Sequence, residues 1–157
     1  MDESGLNVTE AKKKALRILE RADRTRKELR DKLAAAGFEE SAAEEAIAYV
    51  SSFGYLDDAR YAENFIRRSV SHKSRARIMQ ELSARGVDRE TASEAWETVT
   101  EDLPHDEQDM IRSLVDKKLQ DPDPDPAALR RLYAWLARRG FSGEDIRHVL
   151  EERKREH

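Results

Sequence analysis

The chain has no cysteine among its 157 residues, only 4 prolines and 6 glycines, and aromatic residues at 6%. Without thiols there is no disulfide, no thiolate metal site and no cysteine nucleophile, a usage that fits a reducing cytoplasm. Long apolar runs are missing as well, and the first ten positions, MDESGLNVTE, lack the basic start and apolar stretch of a secretory signal. The expectation is a cytoplasmic protein with no membrane partner. No segment alternates polar and apolar residues as a half-buried strand would, which leaves helices. Also missing are a Gly-rich phosphate loop, a Gly-x-Ser-x-Gly elbow and a His-Glu-x-x-His pair. No catalytic residue, metal or cofactor is therefore assigned, and no activity as a metal-dependent hydrolase is expected.

What is abundant is charge. Charged residues make up 39% and hydrophobic ones 38%, with a mean hydropathy of -0.87, proportions that suit thin helix bundles with much solvated surface and not one large core. The net charge of -4 argues against a uniformly basic nucleic-acid coat, but the charge is segregated. Residues 60 to 89 hold eight basic against three acidic side chains, residues 90 to 125 three against twelve, and residues 128 to 157 eight against five. Two basic blocks thus flank an acidic one.

Three segments align on a glycine: Leu29-x3-Leu33-x3-Gly37-Phe38, Ile78-x3-Leu82-x3-Gly86-Val87 and Leu132-x3-Leu136-x3-Gly140-Phe141. The spacing is that of a helix C-terminus: glycine takes the left-handed position past the cap, and the next residue folds back on the helix. The expected contacts are Phe38 on Leu33, Val87 on Leu82 and Phe141 on Leu136. The glycines are 49 and then 54 residues apart, room for about three ordinary helices per unit. The fold class is therefore all-α, three tandem three-helix repeats in an elongated, curved array. The expected organisation is a flexible 1–9, repeats over 10–53, 54–103 and 104–157, and a Pro-rich connector at 121–126.

Within the repeats, Thr25 to Glu28 reads as a capping box, Ser41 as a start for the third helix, and Asp57 or Asp58 as the cap of the fourth. Ser74, Asp88 and Ser142 are placed to cap later helices, and Pro126 suits a first helical turn. Tyr133 and Trp135 are read as core, as are the leucines at helical spacing.

The stretch Gly54-Tyr55-Leu56-Asp57-Asp58-x-x-Tyr61-Ala62-x-x-Phe65-Ile66, with Arg68, followed by Arg77-Ile78-x-x-Glu81-Leu82-x-x-Arg85-Gly86-Val87, resembles the RecX family of regulatory proteins. The likeness extends upstream through Ala15-Leu16 and Glu28-Leu29 to Gly37-Phe38, and so covers most of the chain. Ser74 departs from it, standing where the family commonly has glycine ahead of the Arg-Ile pair. The resemblance implies tandem three-helix repeats. It also implies a monomer that binds the RecA filament on single- or double-stranded DNA, contacts DNA non-specifically, and mainly inhibits filament extension, strand exchange, ATPase and co-protease activity. An alternative is a helical-repeat DNA-binding or protein-interaction module unrelated to RecA.

Two clusters are candidate contact residues for RecA or DNA. The first gathers Arg67, Arg68, Lys73, Arg75 and Arg77 around Ser74, where a helix N-terminus with free N–H groups would suit a phosphate or carboxylate. The second lies among Arg130, Arg131, Arg138, Arg139, Arg147, Arg153, Lys154 and Arg155, of which Arg131, Arg138 and Arg139 are the candidates, with Arg131 and Arg138 on one helix face and Trp135 nearby. The competing account of both is a solvated basic face, with Arg67 and Arg68 complementing a helix dipole. The acidic residues Glu97, Glu101, Asp102, Asp106, Glu107 and Asp109 are expected to be solvated surface. Glu144, His148 and Glu152 share a metal-like spacing, better explained as a surface helix.

Overall fold

A computed structural model describes residues 3–103 and 105–156, with side chains from residue 7 onward. Among the described residues there are nine helices and no strand: α1 Glu3–Arg21, α2 Arg26–Ala35, α3 Glu40–Ser52, α4 Asp58–Ser69, α5 Arg75–Ala84, α6 Arg89–Asp102, α7 Glu107–Lys118, α8 Pro126–Arg138 and α9 Gly143–Glu156. Among the described residues no helix is long and apolar enough to cross a membrane.

The helix ends follow from local chemistry. Thr25 and Glu28 form the expected capping box; Asp57 accepts from the Arg60 amide, Asp88 from Thr91, and Ser142 from Asp145. Asp125 caps α8, with Pro126 in its first turn. At Gly37, Gly86 and Gly140 the backbone turns left-handed, and the following amide returns to the carbonyls of Leu33, Leu82 and Leu136. A fourth turn of this type ends α3: Gly54 has φ +75, and the Tyr55 amide donates to the Val50 carbonyl at 3.0 Å.

Two local expectations are corrected. Helix α1 runs from Glu3, so residues 3–9 of the expected flexible lead are helical. The reason is that Val8 extends the apolar stripe of Ala11 and Ala15 and packs on the same core. Met1 and Asp2 lie outside the described residues, as do Pro104, at the expected start of the third repeat, and His157. Helix α3 begins at Glu40, with Glu39 at its N-cap and no side-chain cap bond, one residue before the expected Ser41.

By its contacts the chain divides into two compact units, Met1–Asn64 with Leu82–Trp96, and Phe65–Glu81 with Glu97–His157. In the first, Ala11 and Ala15 of α1 share a core with Ala42, Ala46 and Ile47 of α3, the alanines letting the two helices approach, while Leu29 and Leu33 contribute to the core from α2. In the second, Ile111 and Val115 of α7, Leu132 and Leu136 of α8, Phe141, and Ile146 and Val149 of α9 form the core. Each fully buried leucine or isoleucine contributes on the order of 1.5–3 kcal/mol.

Each unit also contains a joint built to one pattern. In the first unit the Thr25 hydroxyl donates to the Arg85 carbonyl at 2.6 Å, the Arg26 amide donates to Asp58 Oδ1 at 2.8 Å, and Lys27 packs over Gly86. In the second, the Ser74 amide donates to the Arg139 carbonyl at 3.1 Å, the Arg75 amide donates to Glu107 Oε1 at 3.0 Å, and Ser74 and Arg77 pack over Gly140. The start of one repeat's second helix thus sits on the glycine turn of the next repeat, and a carboxylate from the next repeat's first helix satisfies its first amide. Thr25 and Ser74, Arg26 and Arg75, and Asp58 and Glu107 are each 49 residues apart. The two joints are one solution used twice.

Candidate functional site

The geometry sorts the first candidate cluster into two groups. Arg67 and Arg68 end α4, are exposed, and have no ion-pair or hydrogen-bond partner among the described residues. Lys73 and Arg77 are tied instead to one carboxylate: Lys73 Nζ lies 2.8 Å from Glu81 Oε2 and Arg77 Nε 3.0 Å from Glu81 Oε1. Lys73 Nζ also lies 5.7 Å from the centre of the Phe65 ring. Arg75 is exposed, and its amide serves the joint.

The expected anion site at the start of α5 is not open. Ser74 is 2% exposed; its hydroxyl accepts from the Arg77 amide at 3.0 Å, its own amide goes to Arg139, and the Arg75 amide goes to Glu107. The amides of Ser74, Arg75 and Arg77, three of the donors that would hold a phosphate, are already used by the fold. Ser74 is therefore an N-cap inside a joint. Glu107, read as solvated, fills the anion position, while Asp106 caps α7 and Asp109 pairs with Arg112 at 2.6 Å. Asp106 and Asp109 are exposed, as expected, and carry these local bonds at the surface; Glu107, partly buried in the joint, is the one of the three that departs from the solvated reading. The pairs Asp57-Asp58 and Asp106-Glu107 repeat at the glycine spacing of 49, and that signal could have revealed both joints.

The structure also links the two clusters that the sequence kept apart. Arg139 supplies the carbonyl that Ser74 binds, and its Nη1 lies 3.5 Å from the His72 carbonyl. Burial, reinforced by the positive charges of Lys73 and Arg139, holds the His72 imidazole below its ordinary pKa. Trp135 is only half-buried, packed at the edge of its core, and carries two cations over its ring: Lys118 Nζ at 4.5 Å and the Arg139 guanidinium at 4.0 Å. It is neither a fully buried core residue nor an unoccupied stacking surface. Arg131 and Arg138 are exposed and without partners among the described residues.

In α9, His148 lies 3.9 Å from Glu152, but Glu152 is engaged by Arg112 Nε at 2.8 Å. Among the described residues no group of three or more His, Asp or Glu side chains is placed to hold a metal ion.

Glu81 is the electrostatic centre of the first cluster. Burial works against its charge, yet the hydrogen bonds and positive charges of Lys73 and Arg77 prevail and hold its pKa below the ordinary 4.5. A depressed carboxylate stabilises the fold fully above its unfolded pKa and loses that contribution as the pH falls through the folded value. Glu81→Gln is therefore expected to lower stability at pH 7 by about 1 kcal/mol. The gap from the unsubstituted protein should close in denaturant titrations repeated toward pH 3. A gap independent of pH would mean that packing, not charge, sets the effect.

Comparison with known proteins gives a consistent result. Residues 11–49, 57–95 and 105–150 match the models of the first, second and third three-helix domains of RecX. The regulatory protein RecX of Stenotrophomonas maltophilia is 38% identical over 138 residues, 87% of this chain and 82% of its own length. That of Caldanaerobacter subterraneus is 34% identical over 147 residues, 92% of this chain and 71% of its own. The crystal structure of RecX from Lactobacillus salivarius superposes with a TM-score of 0.73 at 25% identity, covering 96% of this chain and 98% of that one. A second crystal structure of a regulatory protein RecX, at 18% identity, has a TM-score of 0.71 and shares the fold, over 96% of this chain and 78% of that one. These relatives are named regulatory proteins, not enzymes.

Proposed function

The chain belongs to the RecX family of regulatory proteins, and from that premise we propose that it binds the RecA filament on DNA and restrains it, limiting filament extension, strand exchange, ATPase and co-protease activity. The observation that carries the reading is that all three repeats match the family, with no repeat replaced by a different module. The arginines left without partners support it. Arg67, Arg68, Arg131 and Arg138 are exposed and have no internal pair among the described residues, so their charge is available to phosphates or to acidic protein surface.

The mechanism needs no chemistry on a substrate. A regulator that binds one filament state better than another shifts the filament toward that state by its difference in affinity. DNA contacts made by scattered arginines on a chain of net charge -4 are non-specific and weaken steeply with salt. Lys73, Arg77 and Arg139 contribute through the fold, since Glu81, Trp135 and the joint already hold them.

The test is RecA's DNA-dependent ATPase with this protein added below one molecule per RecA. A fall in steady-state turnover at substoichiometric ratios is expected, because restraining one growing end affects many subunits. An unchanged rate at every ratio, with RecA verified as active, would remove the reading.

A further inference from the structure

The glycine turn at Gly54 differs from the other three in the placing of the residue after it. After Gly37, Gly86 and Gly140 the next residue folds onto the core: Phe38 packs against it, and Val87 and Phe141 are 3% and 4% exposed. After Gly54 the backbone closes the same way, yet Tyr55 stays 53% exposed. Arg60 Nη1 donates to the Gly54 carbonyl at 2.9 Å and fixes the turn in place. A turn whose usual apolar staple is withheld presents that side chain outward.

Tyr55 is not alone. Its ring stacks on Phe53 with centroids 5.8 Å apart, and Phe53 meets Tyr49 edge-on at 5.1 Å. Phe53 is 57% exposed and Tyr49 36%; with Leu103 and Tyr55 they are the exposed large hydrophobics among the described residues. The three aromatics line an open groove of about 810 Å³ whose other wall is Leu16, Leu19, Glu20 and Asp23 of α1 and its end. In so polar a chain, a contiguous, preordered aromatic patch marks a binding surface, and tyrosine is the side chain such surfaces favour.

The charge at the groove selects the occupant. Glu20 and Asp23 have no ion-pair or hydrogen-bond partner among the described residues. Among the lining residues these two carboxylates stand against one cation, Arg60, whose guanidinium donates to the Gly54 carbonyl, so the lining is net negative; Lys12 Nζ sits 4.7 Å from the Tyr49 ring centre. Two free carboxylates beside an aromatic wall repel a phosphate backbone and attract lysine or arginine.

We propose that this groove seats an apolar protein segment flanked by lysine or arginine, presented by the RecA protomers of the filament. The partner's identity rests on the proposed binding to RecA filaments; the chemistry of the groove does not. Contact with RecA protein would then fall to the aromatic groove, and contact with phosphates to the unpaired arginines.

The test compares the unsubstituted full chain with Phe53→Ser/Tyr55→Ser and with Glu20→Lys/Asp23→Lys. Each is titrated onto RecA filaments assembled on oligo(dT) with a slowly hydrolysed ATP analogue, and onto naked oligo(dT). All four side chains are on the surface, so thermal melting should be retained. Both variants should bind filaments at least tenfold more weakly, while naked-DNA affinity stays within twofold for the serine variant and is not lowered for the lysine variant, whose added positive charge favours phosphate. If both bind filaments as the unsubstituted protein does, the groove proposal falls and the filament reading stands. Loss in the aromatic variant alone overturns the basic chemistry of the partner. A parallel loss on naked oligo(dT) makes the groove a base-stacking surface and overturns the proposal. If the unsubstituted protein itself does not bind filaments, the filament reading falls, and RecA as the occupant with it.

Discussion

Gly140→Ala is expected to destabilise the protein by about 3 kcal/mol, whereas Gly37→Ala, the same change at the same kind of turn, should cost about 1 kcal/mol. Both glycines are left-handed, with φ +94 and +95, so the backbone strain of adding a Cβ is common to the two. What differs is the surroundings. At Gly37 the added carbon would meet nothing within 4 Å, but at Gly140 it would overlap Ser74 Oγ and lie 2.5 Å from Arg77 Cβ and 3.2 Å from the Arg77 amide nitrogen. Neither Ser74, which is buried and bonded on both sides, nor the base of Arg77 can swing away. The measurement is thermal or denaturant unfolding of the two variants, with melting temperatures expected to differ by about 4–8 °C. Equal losses would mean that the joint yields without cost, and that these glycines serve only their own turns. Gly86, over which Lys27 packs, should follow Gly140.

Charge reversal at Arg67 and Arg68 together should weaken binding to DNA at least tenfold and reduce the salt dependence of that binding by about 2 logarithmic slope units. Both side chains are exposed and have no internal partner among the described residues, so stability should change little. Arg77 is the control. Its guanidinium is paired with Glu81 and its amide with Ser74, so Arg77→Glu should lower stability first, by setting two carboxylates face to face. Titrations on naked DNA and on RecA filaments separate the roles of Arg67 and Arg68. A loss on filaments alone assigns the pair to protein, a loss on both assigns it to DNA, and no loss on either removes it from the interface.

Much of the fold was legible because its signals are local. A left-handed glycine after an apolar helix end, a Thr-x-x-Glu box at Thr25 and an aspartate ahead of a helical stripe each act within a few residues. The family likeness also rests on local motifs. The fourth turn, at Gly54, escapes the same pattern for a related reason. That pattern pairs leucine or isoleucine ahead of the glycine with an apolar residue after it, whereas Gly54 follows Val50 and leads to a tyrosine that remains exposed.

The candidate site was less legible because availability of a charge is a pairwise property. Arg67, Lys73 and Arg77 are alike in sequence, yet Glu81 takes Lys73 and Arg77 and leaves Arg67 in solvent. Ser74 looked like an open helix start, and its amide partner is the carbonyl of Arg139, 65 residues later. Trp135 read as core, but the cations of Lys118 and Arg139 lie over a ring that is only half-buried.

By itself the sequence determined the helices, their caps, three of the four glycine turns and the threefold repeat, since each depends on backbone preferences and spacing acting over one or two turns. Only the tertiary structure decided which helix starts are closed, which arginines are spent and which aromatics are left in solvent. The closed helix starts depend on residues 32 to 65 positions away reaching hydrogen-bond distance, and the spent cations on which of several neighbouring charges Glu81 engages; a one-dimensional pattern records neither until the helices have packed.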